Sequence, residues 1–440
     1  MKLLMITGLI LSAASAQAVV FSPPARITDG SSKAQLARNP RGAAAFDTSG
    51  TLHLAYWTGT APAASTAAPD AVLHRQWTLA GGWTAAQTVD DGSEQAGQRV
   101  GGRHPNLAIA GDGSLWITWQ DNRHSTAAGN WIDNTEIYAD RKYPGGSFLP
   151  SDIRLTNSGS GSGGDNGYTP RVARGAGPKL EFAWYDFAAG TGSTSDFYAK
   201  TVTVGSPQFI FNESMSQMQV TDAAARGGSP SYSFVDLAVD STGTRHLVWL
   251  TGFGAGTDIV TATVGTSGTL SVPASLATAA GDAFDPPRIA AAPSGDAWVA
   301  YGDDSAVGGA EKVTLRRKPA GTAAFGPAIV VDSRPARQYA PDLAFDTDGG
   351  LRVVWIDERS AAGAQVFAAR VDPATSVVTE AVAITPTPGP WTRPALARRA
   401  DGGLAVVFEE ARSASQGDIW WSTTIPAATP NAARDWGLYD

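Results

Sequence analysis

The sequence predicts an all-β fold, a seven-bladed β-propeller of four-stranded antiparallel blades whose last blade is closed by the N-terminal strand. Three observations predict it. One hairpin-like unit recurs seven times, further short alternating strands follow each recurrence, and the seventh copy ends one strand short while a matching strand lies near the start of the chain.

The clearest unit is PDLAFDTDGGLRVVW (341–355): an alternating strand, a turn containing Asp and Gly, and a second strand ending on an aromatic residue. It recurs as AAAFDTSGTLHLAY (43–56), PNLAIAGDGSLWITW (105–119), PRVARGAGPKLEFAW (170–184), VDLAVDSTGTRHLVW (235–249), PRIAAAPSGDAWVAY (287–301) and PALARRADGGLAVVF (394–408). Third strands follow as EIYADR (136–141), DFYAKTV (196–202), DIVTATV (258–264), KVTLRRK (312–318), QVFAARV (365–371) and DIWWSTT (418–424). Fourth strands follow as TAAQTVD (84–90), SDIRLTN (151–157), SQMQVTD (216–222), PAIVVD (327–332) and EAVAIT (380–385). The seventh copy lacks one, and FSPPARITDG (21–30), which matches FLPSDIRLTN (148–157), supplies the closing strand and removes an exposed sheet edge.

The recurring aromatics Tyr56, Trp119, Trp184, Trp249, Tyr301, Trp355 and Phe408 read as core that fills the wedges between blades. The Asp-Gly turns read as backbone chemistry: Asp346, Asp348 and Gly349 suit a hairpin, and no Glu closes a twelve-residue calcium loop.

At the N-terminus, Lys2, an apolar run from Leu3 to Leu11 and small residues up to Ala16-Gln17-Ala18 have the order of a signal peptide cleaved after Ala18. The expected organisation is therefore signal peptide 1–18, propeller 19–425 with 21–30 as closing strand, and tail 426–440, in a secreted or periplasmic protein without a membrane span. The chain has no cysteine, so neither a disulfide framework nor a thiolate metal site is possible. A net charge of -8 argues against a nucleic-acid partner.

In blades two, six and seven a phrase W-x-D-x-R precedes the third strand: Trp119-Gln120-Asp121-Asn122-Arg123, Trp355-Ile356-Asp357-Glu358-Arg359, and the relaxed Phe408-Glu409-Glu410-Ala411-Arg412. In this the chain resembles the sialidase-like propellers with Asp-box-type repeats, and more closely the secreted bacterial repeat proteins related to them. The resemblance spans the mature chain as a repeat pattern. It implies a propeller and, by analogy with sialidases, a carbohydrate ligand. The Asp-box occurs only as fragments such as LAGGW (79–83) and YPGGSF (143–148), and the family's F/Y-R-I-P motif has only Pro24-Ala25-Arg26-Ile27 as a near match, within the closing strand.

Successive aromatic anchors lie 63, 65 and 65 residues apart and then 52, 54 and 53, so the first blades carry longer loops. The extra residues fall in 58–69, 122–135 and 187–195 and in 91–104, 158–169 and 223–233, all opening on one face. Loops on a rigid scaffold are where binding resides, so the site is expected on that face over blades one to four. The groups there able to meet a sugar or a carboxylate are Arg103, His104, Asp121, Arg123, Trp131, Asp133, Tyr168, Arg171, Tyr185 and Asp186. Recurrence of the W-x-D-x-R residues favours a bracing role for Asp121 and Arg123, since one central site has no use for three copies. No catalytic residue is assigned.

No cofactor or metal is implied, because nucleotide loops are absent and His53, His74, His104, His124 and His246 lack ligand spacing. His53 and His246 are expected to face outward or into a wedge. The expected function is a secreted binding module for a glycan or a surface protein. The alternatives are a sialidase-like hydrolase or polysaccharide lyase on the same face, and a structural envelope protein.

Overall fold

The computed structural model describes residues 20–30, 33–37, 40–59, 70–90, 102–123, 135–156, 167–187, 195–204, 218–220, 232–251, 258–278, 286–304, 310–379, 381–413 and 416–424. The segment 1–18 expected to be a signal peptide, the expected tail 426–440 and most of the long insertions lie outside them. Seven antiparallel sheets form the seven blades. In the second, for example, Gly102–Ile109, Leu115–Asp121, Glu136–Lys142 and Ile153–Arg154 pair in order from the innermost strand outward. No helix is present among the described residues.

Two strands that the pattern did not reveal complete the set. Blade one has its third strand at Ala71–Thr78, where Val72, His74 and Trp77 are buried; a buried histidine and the uneven spacing break the apolar rhythm. Blade four has its fourth at Ala274–Thr278, an alanine-rich edge strand with little hydrophobic contrast. In every blade a turn glycine with positive φ, from Gly50 to Gly402, joins the first two strands, which is why Asp-Gly recurs. The turn aspartates are used locally: Asp47 accepts the Ser49 and Thr51 amides, and Asp346 is ion-paired to Arg352 at 2.6 Å.

Each wedge between neighbouring blades holds one hydrophobic cluster, and each cluster contains one recurring aromatic. Trp119 packs with Ala55 and Val72 of blade one, and Trp355 with Ala300 and Val313 of blade five. All seven aromatics are buried. At roughly 2 to 3 kcal/mol per buried large side chain, these wedges supply much of the cohesion between blades.

The innermost strands carry a second device. In five blades the strand is bulged, with register shifts between Arg103/Asn106, Tyr168/Arg171, Ser233/Asp236, Tyr339/Asp342 and Thr392/Ala395. The bulge residue, His104, Thr169, Phe234, Ala340 or Arg393, has positive φ of 42 to 55°. Proline follows it in four of these blades; in a bulge the ladder asks for no N–H, so proline costs nothing there. The next residue turns toward the neighbouring blade. Asn106 Oδ1 accepts the Val172 amide at 2.9 Å, Asp236 Oδ2 the Ile289 amide at 2.8 Å, and Asp342 Oδ2 the Leu396 amide at 2.7 Å. Blades two, four and six are thereby stitched to their successors. Between blades three and four the link is ionic: Arg171 donates from Nε and Nη2 to Asp236 Oδ1 at 3.0 and 2.6 Å.

The ring closes where the repeats ran out. Ala25–Arg26 pairs with Gly417–Thr423 as the outer strand of blade seven. Thr28 Oγ1 donates to Asp418 at 2.6 Å, and the Ser22 amide donates to the Thr423 carbonyl at 2.7 Å. Ile27 is buried in the wedge between blades seven and one. Deleting residues 21–30 is expected to lower the melting temperature by on the order of 10 °C, because an edge strand, its Asp418 anchor and part of a wedge are lost together. An unchanged melting curve would exclude this role.

The histidines of the second strands face the wedges, His53 toward blade two beside His74 and Phe148 and His246 toward Phe325 of blade five, and each also serves its own turn. His53 and His246 are buried and reach back to the turn aspartates, His53 Nε2 to Asp47 at 3.4 Å and His246 Nε2 to Asp240 at 3.0 Å. His53 Nδ1 also meets His74 Nε2 at 3.0 Å across the sheet. Burial, reinforced by the charges of His53 and Lys142, pushes His74 down to about 2. A base whose folded pKa lies below its unfolded value of 6.5 stays neutral while the unfolded chain takes up a proton. Its stabilising contribution is therefore complete above pH 6.5 and declines as pH falls below it. Unfolding free energy measured in urea should drop by about 2 kcal/mol from this group between pH 7 and 5, and His74→Gln should flatten that slope.

Candidate functional site

The long loops emerge from the ends of the blades opposite the Asp-Gly turns. Thr58 is registered with Ala71, Asp121 with both Glu136 and Gly102, and Asp186 with both Asp196 and Gly167, so the second-to-third loops and the blade-to-blade loops leave one face. Trp131 and Asp133 lie in the insertion 124–134, outside the described residues, as do 60–69, 91–101, 157–166, 188–194 and 221–231.

Asp121 and Arg123 are buried in a brace. Trp119 Nε1 donates to Asp121 Oδ2 at 3.1 Å, the Arg123 amide to Asp121 Oδ1 at 2.8 Å, and Arg123 Nη2 to Asp121 Oδ2 at 2.7 Å. Arg123 also pairs with Asp152 at 2.7 Å and lies over the Tyr138 ring at 4.1 Å. Blade six repeats its core: Trp355 Nε1 and the Arg359 amide bond Asp357, and the Arg359 guanidinium lies 3.8 Å from the Phe367 centroid. Its second carboxylate, Asp332 at 2.8 Å, follows the outer strand of blade five, whereas Asp152 adjoins blade two's own outer strand. Burial works against Asp332, but hydrogen bonds from Arg334 and Arg359 outweigh it and bring its carboxyl down to about 2. In blade seven Arg412 turns to Asp418, the carboxylate that also holds the closing strand through Thr28. Trp–Asp–Arg thus fixes the exit of the second strand onto the third, a task each blade has.

Arg171 is also withdrawn from the loop face. It is buried at the axis against Asp236, which further pairs with Arg41 Nη1 at 3.2 Å. Burial raises the cost of ionising Asp236, but Arg171, Arg41 and Arg288 hold its carboxyl below the ordinary value. Burial dominates at Asp342, whose carboxyl is pushed up despite Arg41 and Arg288. This axial group was legible in principle: the equivalent inner-strand residue, Asn106, Arg171, Asp236, Arg288 or Asp342, is polar in blades two to six where alternation calls for an apolar one.

The remaining candidates gather on blades one to three. The Arg103 guanidinium bonds Asp70 and lies over the Trp57 ring at 5.1 Å, and His104 meets the same ring edge-on at 5.7 Å. Trp57 is itself fixed by donation from Nε1 to the Leu36 carbonyl at 3.3 Å. Tyr168 stacks on Tyr185, ring centroids 5.3 Å apart and planes 20° from parallel, and Tyr185 meets Phe197 edge-on. Arg103, His104, Tyr168 and Tyr185 are partly exposed, whereas Asp186 is buried directly across from Asp196. Between the two aromatic groups, Gln120 Oε1 accepts the Thr169 amide at 3.0 Å. Sequence reasoning missed Trp57, which follows the anchor Tyr56 and reads as one more core residue.

Arg123→Ala is expected to cost about 3 to 5 kcal/mol in urea unfolding, because it strands Asp121 and Asp152 without their cation. Arg412→Ala, whose side chain is 37% exposed against 6% for Arg123, should cost less. Equal losses would mean that burial does not govern the brace.

No protein-family model matches the chain, and no curated protein matches it in sequence. Solved structures do. An ulvan lyase of polysaccharide lyase family PL25, bound to -[GlcA(1-4)Rha3S]-, aligns with a TM-score of 0.56 at 8% identity over 91% of this chain and 94% of the lyase. The NanB sialidase of Streptococcus pneumoniae aligns at 0.46, with 10% identity over 94% of this chain and 70% of that one. An α-L-arabinanase of Penicillium chrysogenum aligns at 0.46, with 14% identity over 72% and 92%. The propeller fold expected from the resemblance to sialidase-like repeats is the fold the chain has.

Proposed function

We propose that this chain is an exported glycan-binding propeller whose site lies on the loop face over blades one to three, reaching toward blade four. The observation that carries the reading is the pairing of two preorganised aromatic groups on that face: Arg103 and His104 on Trp57, and Tyr168 on Tyr185. The partly exposed Tyr168, held flat against Tyr185, stacks on a sugar ring with little entropy to lose, while the buried Trp57 fixes Arg103 for two-point recognition of a carboxylate or sulfate. A cell-surface protein bearing such groups is the other partner this chemistry fits; nucleic acid is disfavoured by the net charge.

A second reading, a glycan-cleaving enzyme on the same face, is favoured by blade three. Its phrase is Trp184-Tyr185-Asp186-Phe187-Ala188, with alanine where blades two and six place the bracing arginine. Asp186 and Asp196 stand opposite each other on adjacent strands beside Tyr168, and carboxylates with a tyrosine are the groups that proton transfer to and from a glycosidic bond requires. The fold likeness to an ulvan lyase supports keeping that reading.

A glycan array run alongside fluorogenic sialosides and uronic-acid polysaccharides separates the two. Binding without turnover, weakened roughly tenfold or more by Arg103→Ala and by Tyr168→Ala in a folded protein, is the expected result. Turnover abolished by Tyr168→Phe or Asp186→Asn would establish the enzyme instead. Neither binding nor turnover would leave a structural envelope role or a protein partner.

A further inference from the structure

On the face opposite the long loops, the ring axis opens into a well of about 490 Å³. Its walls are the ends of the inner strands and the first-to-second turns, and its charged lining includes Arg41, Arg171, Arg174, Arg398 and Asp240. Asp240 is committed to its own turn, accepting the Thr242 and Thr244 amides and facing His246. The arginines are not balanced in this way. Above the well, among the described residues, Arg41, Arg171 and Arg288 share the axis with the carboxylates of Asp236 and Asp342.

The unbalanced charge has unused donors. Arg171 is 3% exposed, and its Nη1 has no hydrogen-bond partner although Nε and Nη2 are both bonded to Asp236. A buried guanidinium N–H without an acceptor costs about 1 to 3 kcal/mol, and natural structures seldom leave one so. Among the described residues, the guanidiniums of Arg174 and Arg398, both exposed, have neither a hydrogen bond nor an ion pair. Two inner strands, of blades three and seven, and the turn that leads into blade one thus place cationic residues around one concavity, whose remaining lining is mostly apolar and includes the small Gly42, Gly175, Ala173, Ala238 and Ala291.

We infer that this axial well binds a compact oxyanion, a carboxylate, sulfate or phosphate, with Arg174 and Arg398 as the outer clamp and Arg171 with Arg41 as the inner one. Guanidinium forks suit such anions in two-point fashion. The well is separate from the loop-face site, with the full height of the blades between them, so ligand held here does not compete with a glycan there.

The test is calorimetric titration of the full chain with sodium sulfate, sodium phosphate and glucuronate, with chloride at matched ionic strength as the blank. Saturable binding of at least one oxyanion is expected. It should be weakened tenfold or more in Arg174→Gln/Arg398→Gln, whose exposed positions leave the fold intact, and changed less than twofold in Arg103→Ala on the other face. Sulfate or phosphate binding without glucuronate identifies a free inorganic anion as the source, and glucuronate binding identifies a sugar acid. No saturable heat beyond chloride, or affinity that the double substitution weakens less than tenfold, overturns the proposal. Because Arg103→Ala tests the loop face independently, failure of either site leaves the other standing.

Discussion

Neighbouring blades share no strand, so beyond isolated backbone bonds such as Leu107 N–H to the Gly42 carbonyl and Gln338 N–H to the Glu311 carbonyl, what holds one blade to the next comes through side chains. Two systems meet that constraint. Around the circumference, one buried aromatic per wedge supplies non-directional cohesion. At the axis, Asn106, Asp236 and Asp342 accept amides from the following blade and set how the inner strands sit relative to one another. The second system is costly, since it buries carboxylates. Arginines on the intervening blades three and five make it tolerable, because Arg171 and Arg288 place positive charge where Asp236 must stay ionised. The well at the far end of the axis follows from the same arrangement: charge assembled to stabilise the stitch exceeds what the stitch uses.

The bulges connect this framework to the loop face. Five non-glycine residues with positive φ are an unusual concentration of backbone strain, each worth on the order of 1 kcal/mol or more. They recur at one level of the ring, where the inner strand stops serving its own ladder and turns a side chain to the next blade. His104 belongs to this set, and its strained backbone is what lays the imidazole against Trp57. Thr169 belongs to it too and delivers its amide to Gln120 of the preceding blade. Residues of the proposed glycan site are thus placed by the same device that holds the ring together, which gives loop-end side chains the rigidity of strand positions.

The W-x-D-x-R phrase illustrates how a recurrent polar motif is to be read. Its blade-two and blade-six copies share the Trp–Asp–Arg contacts, and neither leaves its carboxylate available. The departures carry more information. Blade seven redirects its arginine to Asp418 and so joins the brace to ring closure. Blade three has no arginine at that place and puts paired tyrosines and paired aspartates on the loop face instead.

The fold was legible because a propeller writes its local rules seven times over: alternation, an Asp-Gly turn and an aromatic anchor are short-range signals, and repetition separates them from chance. Even the missing outer strand could be found, since Phe21 to Gly30 matches another fourth strand in sequence. What local pattern could not reveal was which polar groups meet. Arg171 and Asp236 are 65 residues apart, Arg41 and Asp236 195 apart, and nothing in either neighbourhood marks them as partners. The histidines scattered along the chain likewise include His53 and His74, brought into contact across one sheet. The amino-acid sequence alone determined the number of blades, the strand order and the face that bears the long loops, because those depend on periodicity and loop length. Only the tertiary structure decided which charged residues serve the axis, which brace a strand and which remain at a surface, because ion pairing depends on closing the ring and on the burial that closure imposes.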